Sequence, residues 1–362
     1  MKLLINRNLI IFTFLHFLVD FICVGTLFLF ANILNDEPII NVGVIFLLYN
    51  CFAFLLQPIF GYLVDLLVTK YHKTILKPLL LFVVAGLIFG QLIIVFLFNR
   101  LIIVFYIGAF LLAVNNALFH VVGGKEILSS SYKATPGGIF VCSGAIGVGL
   151  GTIIINNLPL QLFLFITPFI MVILSIIFAS NKKETEQIVY PQYKSEKSSL
   201  SVLVVLFICF AVLVRSFLGF YSTMSSVINT WATIFLLSVA VCVGKAIGGI
   251  ILDLAGPYFL IVVSTAISII SSLFIHVSYF DYIYLIAFNL LMPLTLDALR
   301  YLFPNKEGFA FGLAAGFLIP GYLLGTILKP YGLQNIIIPI ICLLTGILLF
   351  LSYYLKRKNN HV

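Results

Sequence analysis

The chain has 362 residues, of which 62% are apolar and 9% charged, with a mean hydropathy of +1.22 and a formal net charge of +8. A water-soluble domain carries roughly a quarter of its residues as charges, so this chain lacks the polar surface to face water and its main solvent is lipid. A basic balance suits an acidic partner such as nucleic acid, but the placement of the basic residues, given below, excludes that reading.

An apolar run of roughly 20 residues crosses a hydrocarbon layer of about 30 Å. In chain order such runs fall near 9–31, 39–63, 78–98, 101–121, 138–157 and 159–180, then near 200–222, 230–252, 258–279, 283–303, 308–328 and 335–355. The first is too long for the core of a removable signal and lacks a small-residue cleavage site, so it reads as the first spanning helix. The one long polar stretch, 181–198, holds Lys182, Lys183, Glu184, Glu186, Lys194, Glu196 and Lys197. The pattern predicts an all-α integral membrane protein of twelve transmembrane helices. A six-helix half over 1–180 and a second over 199–362 are joined by a cytoplasmic linker at 181–198.

The charges orient this arrangement. With the N-terminus inside, sixteen basic residues from Lys2 to Lys358 fall on the inner side and only Arg100 and Lys329 on the outer, the bias expected of cytoplasmic loops. Both termini are therefore expected in the cytoplasm, the chain lying in a plasma or inner membrane. The same bias explains the net charge without nucleic acid. Cys23, Cys51, Cys142, Cys209, Cys242 and Cys342 all sit in apolar runs without CxxC spacing, which predicts buried packing and neither disulfides nor a metal site. The wealth of Phe, Ile, Lys and Asn suggests a bacterial source.

The halves read as copies. Gly61 and Asp65 end the second run as Gly249 and Asp253 end the eighth. Gly138 precedes Leu150-Gly151-Thr152-Ile153 by the same interval that separates Gly312 from Leu324-Gly325-Thr326-Ile327. Internal repeats in a membrane protein point to a transporter whose site lies between the repeats near the bilayer midplane.

On these residues the whole chain resembles the major facilitator superfamily. The Gly61-x-x-x-Asp65 loop followed by Lys70, His72 and Lys73 is similar to that family's signature, with Leu66 where an Arg is usual. Three stretches resemble the fosmidomycin-resistance type of drug exporter: His16-Phe-Leu-Val-Asp20, Asn116-Ala-Leu-Phe-His120, here followed by Val121 in place of Pro, and Arg215-Ser-Phe-Leu-Gly219. The resemblance implies two pseudo-symmetric six-helix halves and transport of a small molecule.

Ionisable groups inside a membrane are costly and mark function or a fixed partner. Asp20 lies mid-helix with His16 one turn earlier on its face; the two either carry a coupling proton or tether the first helix. Arg215 and Lys245 lie deep in the seventh and eighth runs, Lys245 matching Gln57 of the second. Arg215 is expected either to face Asp20 across the central cavity or to bind an anionic substrate, and Lys245 either to bind substrate or to snorkel to the interface. Asn115 and Asn116 face the cavity or a neighbouring helix. A gating set is expected at the cytoplasmic ends: Gly61, Asp65, His120, Gly249 and Asp253, with Asp297 and Arg300 paired three residues apart. Gly147 and Gly151, and Gly308, Gly312 and Gly316, have the small-xxx-small spacing of close helix contacts, and Pro320 predicts a kink.

No HExxH, Walker loop, GxSxG or paired-carboxylate cluster occurs, so no enzyme and no cofactor is expected. The reading is a monomeric secondary transporter of a small molecule, coupled to protons and exporting an amphipathic or anionic compound. Import of an anionic metabolite is one alternative. A non-transporting sensor or membrane subunit is another.

Overall fold

The computed structural model describes residues 6–33, 42–97, 102–181, 199–221, 230–274, 278–328 and 334–359. Linker residues 182–198, the outer-loop Arg100 and Lys329, and Val362 lie outside the described residues. Among the described residues the regular structure is all helix: α1 (Arg7–Ile33), α2 (Val42–Leu55), α3 (Gln57–Tyr71), a 3-10 turn at Lys73–Ile75, α4 (Leu76–Leu97), α5 (Ile102–Leu128), α6 (Thr135–Thr152), α7 (Leu158–Ala179), α8 (Ser199–Tyr221), α9 (Trp231–Ser272), α10 (Ser278–Asn289), α11 (Leu291–Leu302), α12 (Glu307–Gly316), α13 (Leu318–Leu328) and α14 (Gln334–Asn359).

Eleven helical stretches among the described residues are long and apolar enough to cross a membrane. One of them, α9, has 42 residues and would run about 63 Å if straight, twice the hydrocarbon thickness. It is two spans. Gly256 takes φ +79° inside it and Pro257 follows, a backbone turn that glycine alone adopts freely. The twelve expected spans are thereby accounted for.

Three spans are jointed, each just before a proline. The α2/α3 joint at Leu56 precedes Pro58, the α10/α11 joint at Leu290 precedes Pro293, and the α12/α13 joint at Phe317 precedes Pro320. Proline has no N–H to give the carbonyl four residues back and its ring clashes there, so the helix opens one turn earlier. The sequence predicts only the last of these.

The bundle is inside-out relative to a soluble protein. Phe96 and Phe169 are 73% and 72% exposed, a pattern that only lipid accommodates. Polar groups such as Asn8, Gln57, Lys125, Glu126 and Glu307 are buried. The two halves meet where backbones nearly touch. A Cβ at Gly308 would lie 2.8 Å from the Gly61 carbonyl, joining α12 to α3. A Cβ at Gly138 would lie 2.8 Å from the Lys245 carbonyl, joining α6 to α9.

Candidate functional site

Two places in the bundle gather the chemistry. The first lies inside the first half. α1 brings His16 and Asp20, α5 brings Asn116 and His120, and α6 brings the carbonyl of Phe140. His16 Nδ1 donates to that carbonyl at 2.7 Å, and His120 Nδ1 donates to the carbonyl of Asn116 at 2.9 Å. The two Nε2 atoms then face each other at 2.9 Å with the rings nearly perpendicular. The Asp20 carboxylate lies beside them, 3.3 Å from His16 Nε2 and 3.7 Å from His120 Nε2, and accepts from Asn116 Nδ2 at 3.1 Å.

The cluster is tight because α6 presents glycine to it. A Cβ on Gly144 would overlap the Asp20 carboxylate and the His16 ring, and one on Gly147 would overlap the Phe17 carbonyl. Phe311, from α12 of the other half, packs on His120 and on Phe140, with centroids 6.4 and 5.9 Å away. Two imidazoles and a carboxylate within 4.8 Å of one another are also a donor set of the kind divalent metals use, which the sequence spacing does not suggest. Two nitrogens on one tetrahedral metal, each at about 2.0–2.1 Å, stand about 3.3 Å apart. The observed 2.9 Å is instead hydrogen-bonding distance.

The second place is a pair of locks between the halves, both at the end of the bundle that carries the basic residues. In one, Asp65 accepts from the first backbone amides of α12, Gly308 N at 3.1 Å and Phe309 N at 2.8 Å. Lys125 of α5 reaches Asp65 at 2.8 Å, Glu307 at 2.6 Å and the Asn305 carbonyl at 3.1 Å. Glu126, the next residue, pairs with Lys73 at 3.7 Å and accepts from Asn8 at 2.8 Å. In the other lock, Asp253 accepts from the first amides of α6, Ala134 N at 2.8 Å and Thr135 N at 2.9 Å, and from the Thr135 hydroxyl. Arg300 of α11 pairs with Asp297 and donates to the carbonyls of Ser131 at 2.6 Å, Tyr132 at 2.8 Å and Lys133 at 3.3 Å.

The locks are repeats of one device. In each, a carboxylate four residues after a glycine caps a helix N-terminus in the opposite half, where unpaired amides and the helix dipole favour negative charge. In each, a cation near the end of a helix of the opposite half, Lys125 of α5 for α12 and Arg300 of α11 for α6, grips the loop next to that helix. Lys125 and Arg300 hold equivalent places.

Several expected placements are corrected. Arg215 and Asp20 form no ion pair among the described residues. Arg215 donates to the Phe288 carbonyl at 3.3 Å and lies over the Phe288 ring, while Asp20 is held by His16, His120 and Asn116. The contacts named for each charge come from its own half, though the Nε of Arg215 is buried without a hydrogen-bond partner. His120 does not join the gating set beside Lys125; successive turns of α5 point it at His16 instead. Asn115 takes the second of its two expected placements, packing against Gly86 of α4 while bonding the Leu111 carbonyl of its own helix at 2.9 Å. Gln57 is fully buried where α3 meets Gly312 of α12 and donates to the Ala53 carbonyl at 2.8 Å. Lys245 crosses between the halves to the Val141 carbonyl, 3.4 Å away, one residue beyond the carbonyl that holds His16. Lys125, Glu307, Gly144 and Phe311 were not singled out from the sequence, because what matters in each is a partner far along the chain.

No family model matches the chain, and no curated protein matches it. Solved structures do. The human organic anion transporter MFSD10 has a TM-score of 0.69 at 12% identity, over 96% of this chain and 99% of that one. A bacterial homologue of the iron transporter ferroportin, in an outward-facing state, has 0.63 at 11%, over 99% and 100%. The E. coli fucose:proton symporter FucP has 0.62 at 11%, over 97% and 99%. At these identities the likeness is one of fold. The chain shares its fold end to end with these proteins, which are described as transporters and a symporter.

Proposed function

We propose that the protein is a secondary active transporter that works by alternating access, coupled to protons, and that it exports a small amphipathic or anionic compound across a cell membrane with both termini in the cytoplasm. The observation that carries the reading is the pair of inter-half locks at one end of the bundle, set beside a buried His–Asp cluster. A conformational switch needs two states within a few kcal/mol of each other. Buried ion pairs suit this, since their attraction roughly cancels their desolvation while each fixes one geometry. The positive-inside rule assigns the locked end to the cytoplasm. Proton coupling draws support from His16, Asp20 and His120, and a structural neighbour described as a proton symporter is consistent with it. Import of an anionic metabolite is favoured by Lys245, a cation at the junction of the halves, and the fold is shared with a protein described as an organic anion transporter.

A deletion strain screened for altered growth on toxic compounds and metabolites would supply a substrate. With that substrate in proteoliposomes, Asp20→Asn is expected to lose transport driven by a pH gradient and to keep energy-independent exchange. Undiminished accumulation by Asp20→Asn would refute the coupling.

A further inference from the structure

The geometry points to a proton shared between His16 and His120, so that this pair, with Asp20 ionised beside it, is the proton carrier. The inference rests on the proton-coupled reading above and places the proton on particular atoms. The argument is a count of hydrogens. A carbonyl oxygen only accepts, so His16 Nδ1 at 2.7 Å from the Phe140 carbonyl and His120 Nδ1 at 2.9 Å from the Asn116 carbonyl must both carry hydrogen. The Nε2···Nε2 contact at 2.9 Å needs a third hydrogen, or two lone pairs would face each other at hydrogen-bonding distance. Two neutral imidazoles have only two N–H hydrogens between them. The third makes the pair a cation.

The surroundings fit that charge. The Asp20 carboxylate lies 3.3 and 3.7 Å from the two Nε2 atoms, so cation and anion together are neutral, and Asn116 holds the carboxylate in its ionised, accepting role. The other titratable groups facing the cluster are Cys23 on α1, Tyr49 on α2 and Lys245 on α9; α6 supplies the Phe140 carbonyl and α12 the Phe311 ring. Among the described residues Lys245 is the one neighbouring cation, and its ammonium is turned to the Val141 carbonyl. Phe311 covers His120 only while α12 is held by the Asp65 lock. Opening that lock withdraws the ring and lets water take the proton from Nε2, leaving two neutral rings whose Nε2 contact no longer holds. The carrier thus reads the state of the gate.

The test is nitrogen NMR of the purified, chelator-treated protein with 15N-labelled histidine, at about pH 8, where an ordinary exposed imidazole is neutral. The chain has five histidines, assigned by single substitutions. His16 and His120 are expected to show both Nδ1 nitrogens protonated and their two Nε2 nitrogens linked through one deshielded proton. His120→Asn should return His16 to a neutral ring with hydrogen on Nδ1 alone. Two neutral rings in the wild-type protein would overturn the inference, as would Nε2 signals that change with chelation and reveal a metal in the proton's place. The NMR result is independent of transport, so it can fail while Asp20→Asn still proves coupling, and the reverse.

Discussion

Gly144 sets how closely α1 and α6 approach at the histidine pair. A Cβ there would overlap both the Asp20 carboxylate and the His16 ring, and neither can retreat without breaking the bonds that hold it. Gly144→Ala is therefore expected to destabilise the protein by about 1–3 kcal/mol, as overpacking does, despite the better helix propensity of alanine. Gly219→Ala is the control, because no heavy atom lies within 4 Å of its added Cβ and propensity alone should make it neutral or stabilising. Thermal unfolding of the two purified variants would check this; equal melting temperatures would mean that α6 shifts to make room. The same residue scale explains why Asp20 and Arg215 stay apart. Asp20 is held by His16, His120 and Asn116 of its own half, and Arg215 by the carbonyl and ring of Phe288 in the other.

At the scale of elements, the locks tie a helix end in each half to a carboxylate of the other. α12 and α6 each begin with unpaired amides, and a carboxylate from the other half satisfies them. Asp65→Asn would leave Lys125 with Glu307 as its one carboxylate partner and weaken the cap of α12, at a cost of about 1–2 kcal/mol. That biases the protein toward the state in which this end is open, by roughly tenfold. The native Cys142 and Cys242 report the outcome, since the two thiols are neighbours across the α6–α9 interface. Mild oxidation is expected to cross-link them in the wild-type protein and several-fold less in Asp65→Asn. An unchanged yield would show that the Asp65 lock does not bear on closure. Lys125→Met should be more damaging than Asp65→Asn, because it leaves two buried carboxylates facing each other, and losing one side of a buried pair costs about 3–5 kcal/mol.

For the whole molecule, even helix count and charge asymmetry stand together. Arg7, Lys73, Lys77, Lys125, Arg300 and Lys356 all lie at the lock end, several tied to partners there: Arg7 to the Ile177 carbonyl, Lys77 to Asn181, and Lys356 over the Tyr301 ring. Reporter fusions at Lys197 and Val362, both outside the described residues, are expected to score as cytoplasmic. Either one alone scoring outside would overturn the twelve-span arrangement, and both scoring outside would reverse the assignment of the locks to the cytoplasmic face.

The sequence alone determined whatever depends on short stretches of chain. Run lengths set the spans, Pro320 marked a break through its own backbone limits, and the two Gly-x-x-x-Asp copies disclosed the repeat. Asp297 and Arg300 could be paired from their spacing because both lie on one turn of helix. The tertiary structure decided every partnership across the bundle. His16 meets His120 across 104 positions and Lys125 meets Glu307 across 182. Helical periodicity says which residues share a face, but not which neighbour that face will meet. That is set by helix rotation and crossing, and here the glycines of α6 and α12 set both, by admitting a facing backbone where any larger residue would hold it off.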